Sequence, residues 1–328
     1  MNTAIRWSEP KIEQAVRAEL HKPVGDITAR EAESIDNLVL TDSGLKNITD
    51  IKFLKGLRGL YLGNNEISDI SPLRGLRRLI SLDIYANKIS DISALGGLRN
   101  LTNLNLSWNR IGDITALSGL RNLTNLGLSD NEISDISPLD GLAELTNLDL
   151  MSNGVGDISA LGGLGKLVKL KLWRNRITDI GALSGLNNLT TLYLSENGIS
   201  DIRALCRLTN LKELELNSNR ITDINPLSGL TNLSSLSLPR NEISDLSALA
   251  ELGNLEYLSL GENGISDISA LGRLGNLKWL YLGGNEISDL GRLSSLTKLR
   301  LLDLKFNKIS DYGPVKNLPV WKNGNVLV

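Results

Sequence analysis

The chain has 328 residues, 41% of them apolar but only 4% aromatic, so its core must be built from leucine and isoleucine. Lys plus Arg number 35 against 37 Asp plus Glu, a formal charge of −2 with both signs mixed along the chain, which excludes the basic footprint of a nucleic-acid partner. No run approaches the roughly 18 consecutive apolar residues a membrane span requires, so membrane insertion is not expected either.

Residues 1–34 read as a helical N-terminal cap. The opening MNTAIRWSEP has no apolar h-region, so no secretory signal is expected in it. Ser8 is the expected helix N-cap, with Trp7 and Ile12 spaced as a hydrophobic staple. Ile12, Ala15, Val16 and Leu20 make the apolar stripe of the helix. His21, the only histidine, follows it and reads as a surface residue. A second helical turn is expected at TARE, where Thr28 and Glu31 have capping-box spacing.

From residue 35 to residue 320 the chain repeats itself about 13 times with a period of 22 residues. NEISDISPL occurs at Asn65–Leu73 and again, letter for letter, at Asn131–Leu139. Asparagines recur in strict register from Asn65 through Asn87 and Asn109 to Asn307, and a degenerate first unit near Ile35 has Ser43 in that slot. Each unit follows L-x-x-L-x-L-x-x-N-x-I-x-D-I-x-x-L. The L-x-L alternation predicts a short strand with its leucines on one face, as at Leu60 and Leu62 or Leu104 and Leu106. The asparagine closes the turn after the strand, where its amide can satisfy backbone groups that no neighbour reaches. The aspartate four residues on, Asp69 through Asp311, is expected to cap free N–H groups of the next helical turn rather than to form a column of metal ligands. With so few residues per coil, the far side must consist of 3₁₀ turns and extended chain.

Cys206 is the only cysteine, which excludes an internal disulfide and a structural zinc site built on cysteines; it reads as a small buried hydrophobe. One histidine, no Gly-rich elbow and no phosphate loop leave no catalytic constellation, so no enzymatic activity, cofactor or metal is expected. Residues 321–328 are expected to form a short C-terminal cap. In VWKNGNVLV an Asn-Gly pair between β-prone runs predicts a hairpin, with Trp321 as a lid on the last coil.

This pattern resembles the leucine-rich repeat, and its I-x-D-I-x-x-L form is similar to the 22-residue repeats of bacterial internalins and of the SDS22 phosphatase-regulator class. The resemblance implies an α/β leucine-rich-repeat solenoid: a horseshoe with a parallel concave sheet, a convex side of 3₁₀ and extended segments, and a helical N-terminal cap. A helical cap, then GDIT, then the repeats looks like the internalin order more than the phosphatase-regulator order. No Ig-like domain and no cell-wall sorting motif are seen.

Between the leucines of each strand lie slots expected to face out of the concave sheet. Seven of the thirteen aromatics occupy them: Tyr61, Tyr85, Trp173, Tyr193, Tyr257, Trp279 and Tyr281. Trp108 and Phe306 sit one step away, just before an asparagine rung. Strand propensity alone is a weak explanation, because neighbouring slots hold poor strand formers such as Asn103, Asn125 and Gly127. Few, large aromatics on one face are what binding hot spots look like. Register groups Tyr257, Trp279 and Tyr281 into one patch, Trp173 and Tyr193 into a second, and Tyr61 and Tyr85 into a third. The second is bordered by Lys169, Lys171 and Arg174 on one side and by Glu213 and Glu215 on the other, charges that either orient a partner or pair across strands. Triplets such as Asn100-Leu101-Thr102 match a glycosylation sequon but arise from the repeat phrase NLT.

These features point to a monomeric, non-enzymatic module that binds a protein ligand on its concave face. The internalin resemblance implies an exported protein, secreted or at the cell surface; the alternatives are a cytoplasmic scaffold similar to the phosphatase regulators, and glycan binding through the exposed Trp and Tyr.

Overall fold

The computed structural model describes residues 4–328, which fall into two compact units, the first ending at Lys166 and the second spanning Leu167–Val328. The chain is a leucine-rich-repeat solenoid: short parallel strands alternate with 3₁₀ turns, one of each per coil.

The first unit opens with helix α1 (Pro10–Glu19) and the single turn α2 (Ala29–Ala32). Ile12 and Val16 of α1 are buried, and α2 carries the expected capping box, with Thr28 and Glu31 bonding reciprocally. Ser8, however, is not the N-cap of α1. That position belongs to Glu9, which accepts from the Lys11 N–H. Ser8 turns instead to Asp50, whose carboxylate accepts from Ser8 N (2.7 Å), Ser8 Oγ (2.9 Å) and Glu9 N (2.8 Å). Asp50 is only 2% exposed, so a buried carboxylate meets the positive end of the helix and ties the cap to the first coil. The shift by one residue also takes Trp7 and Ile12 out of staple register, and the Trp7 ring packs edge-on against Phe53 at 6.2 Å.

Strands β1 (Asn37–Val39), β2 (Gly59–Tyr61), β3 (Ser81–Asp83), β4 (Asn103–Asn105), β5 (Asn125–Gly127) and β6 (Asn147–Asp149) follow in this unit, each pairing in parallel with the next. The second unit holds β7 (Lys169–Lys171), β8 (Thr191–Tyr193), β9 (Glu213–Glu215), β10 (Ser235–Ser237), β11 (Tyr257–Ser259), β12 (Trp279–Tyr281) and β13 (Leu301–Asp303), paired in the same way. Register advances by one repeat at each step, as in Leu60↔Leu82 and Leu258↔Leu280. Like residues therefore stack on like, and the leucine and isoleucine columns are buried from Leu38 to Leu304. Burying one such side chain contributes roughly 2 kcal/mol.

The asparagine is the hinge of each coil. Asn219, itself buried, donates from Nδ2 to Leu194 O and Leu216 O at 3.0 Å, and its Oδ1 accepts from Ile199 N at 3.0 Å. The same set recurs at Asn87, Asn109, Asn131 and Asn241. The aspartate acts as expected from its slot: Asp69 Oδ1 accepts from Ser71 N and Asp157 Oδ1 from Ser159 N, both at 2.8 Å, at the first residue of the 3₁₀ turn. These bonds hold Asp91, Asp157 and Asp267 below the usual carboxylate range, and the Arg203 side chain, with its backbone N–H, draws Asp201 down to about 2.

A further column was not visible in the repeat pattern. The residue before each asparagine slot adopts left-handed backbone, from Asp42 (φ 57°) through Ala86 (φ 50°) and Trp108 (φ 60°) to Phe306 (φ 55°), and glycine occupies the place at Gly284 (φ 73°). A non-glycine residue there costs about 1–2 kcal/mol, and the conformation persists because the same residue continues the inter-coil ladder, as in Ala86 N to Ser107 O at 2.9 Å.

At the C-terminus the expected hairpin does not form. Pro319–Lys322 is a helical turn, α3, and Gly324 (φ 72°) ends it in left-handed conformation, so the Asn-Gly pair serves as a helix stop. The chain then adds strand β14 (Val326–Leu327) in parallel with β13. Val320 and Leu318 are buried at this end, while the half-buried Trp321 packs against Tyr312 at 5.7 Å. Cys206 is exposed rather than buried, because it follows the 3₁₀ turn instead of filling one of the inward slots.

Candidate ligand-binding face

The slots between the buried leucines face away from the core, so each strand offers two side chains to the open face and a third just beyond its end. What fills them differs between the units.

In the first unit the face is largely occupied with itself. Asn125 Nδ2 donates to Asn103 Oδ1 at 2.7 Å and Asn147 Nδ2 to Asn125 Oδ1 at 2.5 Å, an asparagine ladder across β4, β5 and β6. Each amide also bonds to the preceding threonine hydroxyl, as Asn125 does to Thr124 Oγ1 at 3.0 Å. Tyr61 and Tyr85 lie at the start of this unit, and the Tyr85 ring sits over Gly63, where an added Cβ would come within 2.1 Å of it. Gly63 is thus the floor on which that ring rests. Trp108, 62% exposed, projects from the left-handed position, as Phe306 does in the second unit at 87%.

In the second unit the face carries long and charged side chains. Tyr257 and Tyr281 are in ring contact at 5.6 Å, tilted by 46°. Trp279 stands opposite Tyr257 in register, with the Arg300 guanidinium 6.0 Å from its ring centre and the Lys278–Glu256 ion pair (2.7 Å) alongside. The expected Tyr257, Trp279 and Tyr281 patch is assembled. Trp173 and Tyr193 behave differently. Trp173 is 37% exposed beyond the end of β7, with Arg174 left-handed beside it, whereas the Tyr193 hydroxyl donates to Glu213 Oε2 at 3.0 Å. Tyr193 therefore belongs to the glutamates of β9 as much as to Trp173.

Burial and the neighbouring Glu213 push the Tyr193 hydroxyl up to about 12, so it remains a neutral donor. Burial, then the like charge of Glu213, raise the Glu215 carboxyl above its ordinary range, and Lys171 only partly opposes them. Burial, then Tyr281, likewise raise Tyr257.

Sequence reading missed a second asparagine ladder in the turns that lead from each 3₁₀ segment into the next strand. Asn100 Nδ2 donates to Arg77 O, Asn122 to Arg99 O and Asn232 to Thr209 O, each at 2.8 Å. This is why the phrase NLT recurs: its asparagine is tied into the scaffold. The signal was present in the constant spacing of those asparagines, but the sequon reading obscured it.

The leucine-rich-repeat family matches residues 165–221, and its two-copy form matches 77–121, 121–163, 209–251 and 275–317. An internalin of Listeria monocytogenes, InlF, superposes with a TM-score of 0.94 at 37% identity, covering 96% of this chain and 94% of that one. The chain therefore belongs to the internalin-like leucine-rich-repeat proteins, and it is a binding module rather than an enzyme. A leucine-rich-repeat protein of Leptospira interrogans is also similar, with a TM-score of 0.77 and 26% identity over 89% of this chain and 84% of that one. The receptor in the PEPR1–AtPEP1 complex matches with a TM-score of 0.76 at 26% identity, over 92% of this chain and 46% of that one. No curated protein matches the sequence. Among the described residues no helix is long and apolar enough to cross a membrane.

Proposed function

We propose that this protein binds a folded protein ligand on the open face of its sheet, chiefly through the second unit. The observation that carries the reading is the side-chain content of β7 to β12: tyrosines and tryptophans on the open face beside the exposed Glu213 and the half-desolvated Glu215, outside the buried leucine columns. Anchors of this kind supply affinity, and the surrounding charges supply orientation. The balanced net charge of −2 favours protein over nucleic acid as the ligand. The internalin relationship supports placement outside the cell, secreted or at the surface, and a bound partner in the PEPR1–AtPEP1 structure agrees with a ligand-binding role for this fold.

The test is affinity capture from bacterial and mammalian surface extracts, with wild type beside a Trp173→Ala/Tyr193→Ala/Trp279→Ala/Tyr281→Ala variant that keeps the wild-type circular dichroism. A partner retained by wild type alone supports the reading. Partners held equally by both move the site to another surface.

A further inference from the structure

The charges on β7 and β9 are segregated by sign, with an uncharged strand between them. In register, Lys169 stands opposite Thr191 and Thr191 opposite Glu213, while the neighbouring row runs Lys171, Tyr193, Glu215. Each row thus reads cation, neutral, anion across three strands. Lys169 and Glu213 are exposed, and Glu215 and Tyr193 are half-buried. Two strand steps separate the poles by roughly 10 Å. A full strand separates the two signs, and on that strand the Tyr193 hydroxyl donates to Glu213 Oε2 at 3.0 Å. Next along the sheet, β10 presents the short side chains of Ser235 and Ser237, which leaves a low step before Tyr257 on β11.

The spacing discriminates among partner backbones. An extended strand laid across the face repeats its same-side residues at about 6.7 or 13 Å, neither of which matches the poles. An α-helix repeats its face every seven residues, at about 10.5 Å. From this we infer that the protein ligand presents an α-helix lying across the strands of the second unit, with an acidic residue over Lys169 and a basic residue seven positions away over Glu213. The residue three or four positions between them is apolar and rests on Tyr193. One heptad further, roughly 21 Å from the first pole, the helix passes over the serine step and sets a second apolar residue against Tyr257 and its partner ring Tyr281. The inference rests on the open-face reading above and specifies the ligand for it.

Three synthetic stapled helical peptides of one length test it by fluorescence anisotropy. The first carries Glu, then Leu four positions on and Lys seven positions on; the others replace the charged pair by Glu/Glu and Lys/Lys. Wild type is expected to bind the Glu/Lys peptide about tenfold more tightly than either like-charged peptide. Lys169→Glu transfers the preference to Lys/Lys, and Glu213→Lys transfers it to Glu/Glu. The double swap restores the Glu/Lys preference, because the helix can turn end for end. Equal binding of all three peptides, or preferences that ignore these substitutions, overturns the charge-matched helix. If that equal binding disappears in the Trp173→Ala/Tyr193→Ala/Trp279→Ala/Tyr281→Ala variant, the open face still stands as a binding surface. If it persists in that variant, the open-face reading falls too. Failure of every peptide to bind wild type overturns the helix and leaves the capture experiment to judge the face.

Discussion

Strands β4 to β6 and strands β7 to β12 use the same backbone geometry and the same slots, yet they treat their open-face side chains in opposite ways. In the first stretch Asn103, Asn125 and Asn147 bond to one another and to the threonines beside them, so the polar groups are satisfied within the sheet. In the second, Lys169 is exposed, Tyr257 and Trp279 contact Tyr281 and Arg300, and Glu215 and Tyr257 stand in positions that desolvate them in part. The asparagines of β4 to β6 repeat one residue type and bond to one another, whereas the side chains of β7 to β12 vary from strand to strand, and it is the varying positions that we propose for the ligand.

Substitutions sharpen this contrast. The largest effect is expected at the buried hinge. Asn219→Leu leaves Ile199 N and the carbonyls of Leu194 and Leu216 without their partner, at about 1–3 kcal/mol for each unsatisfied group, so urea unfolding is expected to show a loss of roughly 3–5 kcal/mol. A variant with an unchanged midpoint would mean that the asparagine column is dispensable. Next is the open-face ladder: Asn125→Ala removes bonds to Asn103, Asn147 and Thr124 and is expected to cost about 1–2 kcal/mol while leaving ligand capture intact.

Glu215→Gln is expected to act in the other direction. The folded-state pKa is raised, so the charged form is disfavoured by folding, and that cost is present above the folded pKa and vanishes below the unfolded one. At neutral pH the neutral amide should therefore raise stability slightly, on the order of 0.5 kcal/mol, while ligand affinity falls; no gain, with affinity retained, would place Glu215 among the scaffold residues. The cap aspartates give the opposite pH sign. Asp91, Asp157, Asp201 and Asp267 are depressed on folding, so their contribution is complete above the ordinary carboxylate range and is lost as pH falls through the folded values, near 2 for Asp201. Acid titration followed by circular dichroism should show stability eroding below about pH 4, and Asp201→Asn should flatten that slope. The smallest effect belongs to the left-handed column: Ala86→Gly relieves the φ of 50° but loosens the unfolded chain, and the two nearly offset, leaving a gain of a few tenths of a kcal/mol.

Much of the scaffold is legible in sequence because each of its rules repeats at a constant spacing. The leucine alternation, the asparagine hinge and the aspartate cap can each be derived from the chemistry of a single coil. What was misread lies where repetition stops. Ser8 is followed by an acidic residue and a proline that define the cap one position later, and the partner that draws Ser8 away, Asp50, is 42 residues distant. At the other end, Asn323 and Gly324 satisfy a hairpin rule and a helix-stop rule equally well, and Pro319 decides for the helix. The left-handed residues are a different case. Their types range from alanine to tryptophan, so composition carries no mark of a conformation that the surrounding ladder imposes. On the open face, the slots that hold the aromatics were readable from register alone, but the Tyr193 hydroxyl bond and the desolvation of Glu215 depend on side-chain reach across strands.

Ligand recognition is proposed for β7 to β12 and not for β4 to β6. The most direct measurement is the affinity of a captured partner for three proteins: wild type, the Trp173→Ala/Tyr193→Ala/Trp279→Ala/Tyr281→Ala variant, and an Asn103→Ala/Asn125→Ala/Asn147→Ala variant. Binding is expected to be lost in the aromatic variant and kept in the asparagine variant. Binding kept in the aromatic variant and lost in the asparagine variant would contradict the proposal.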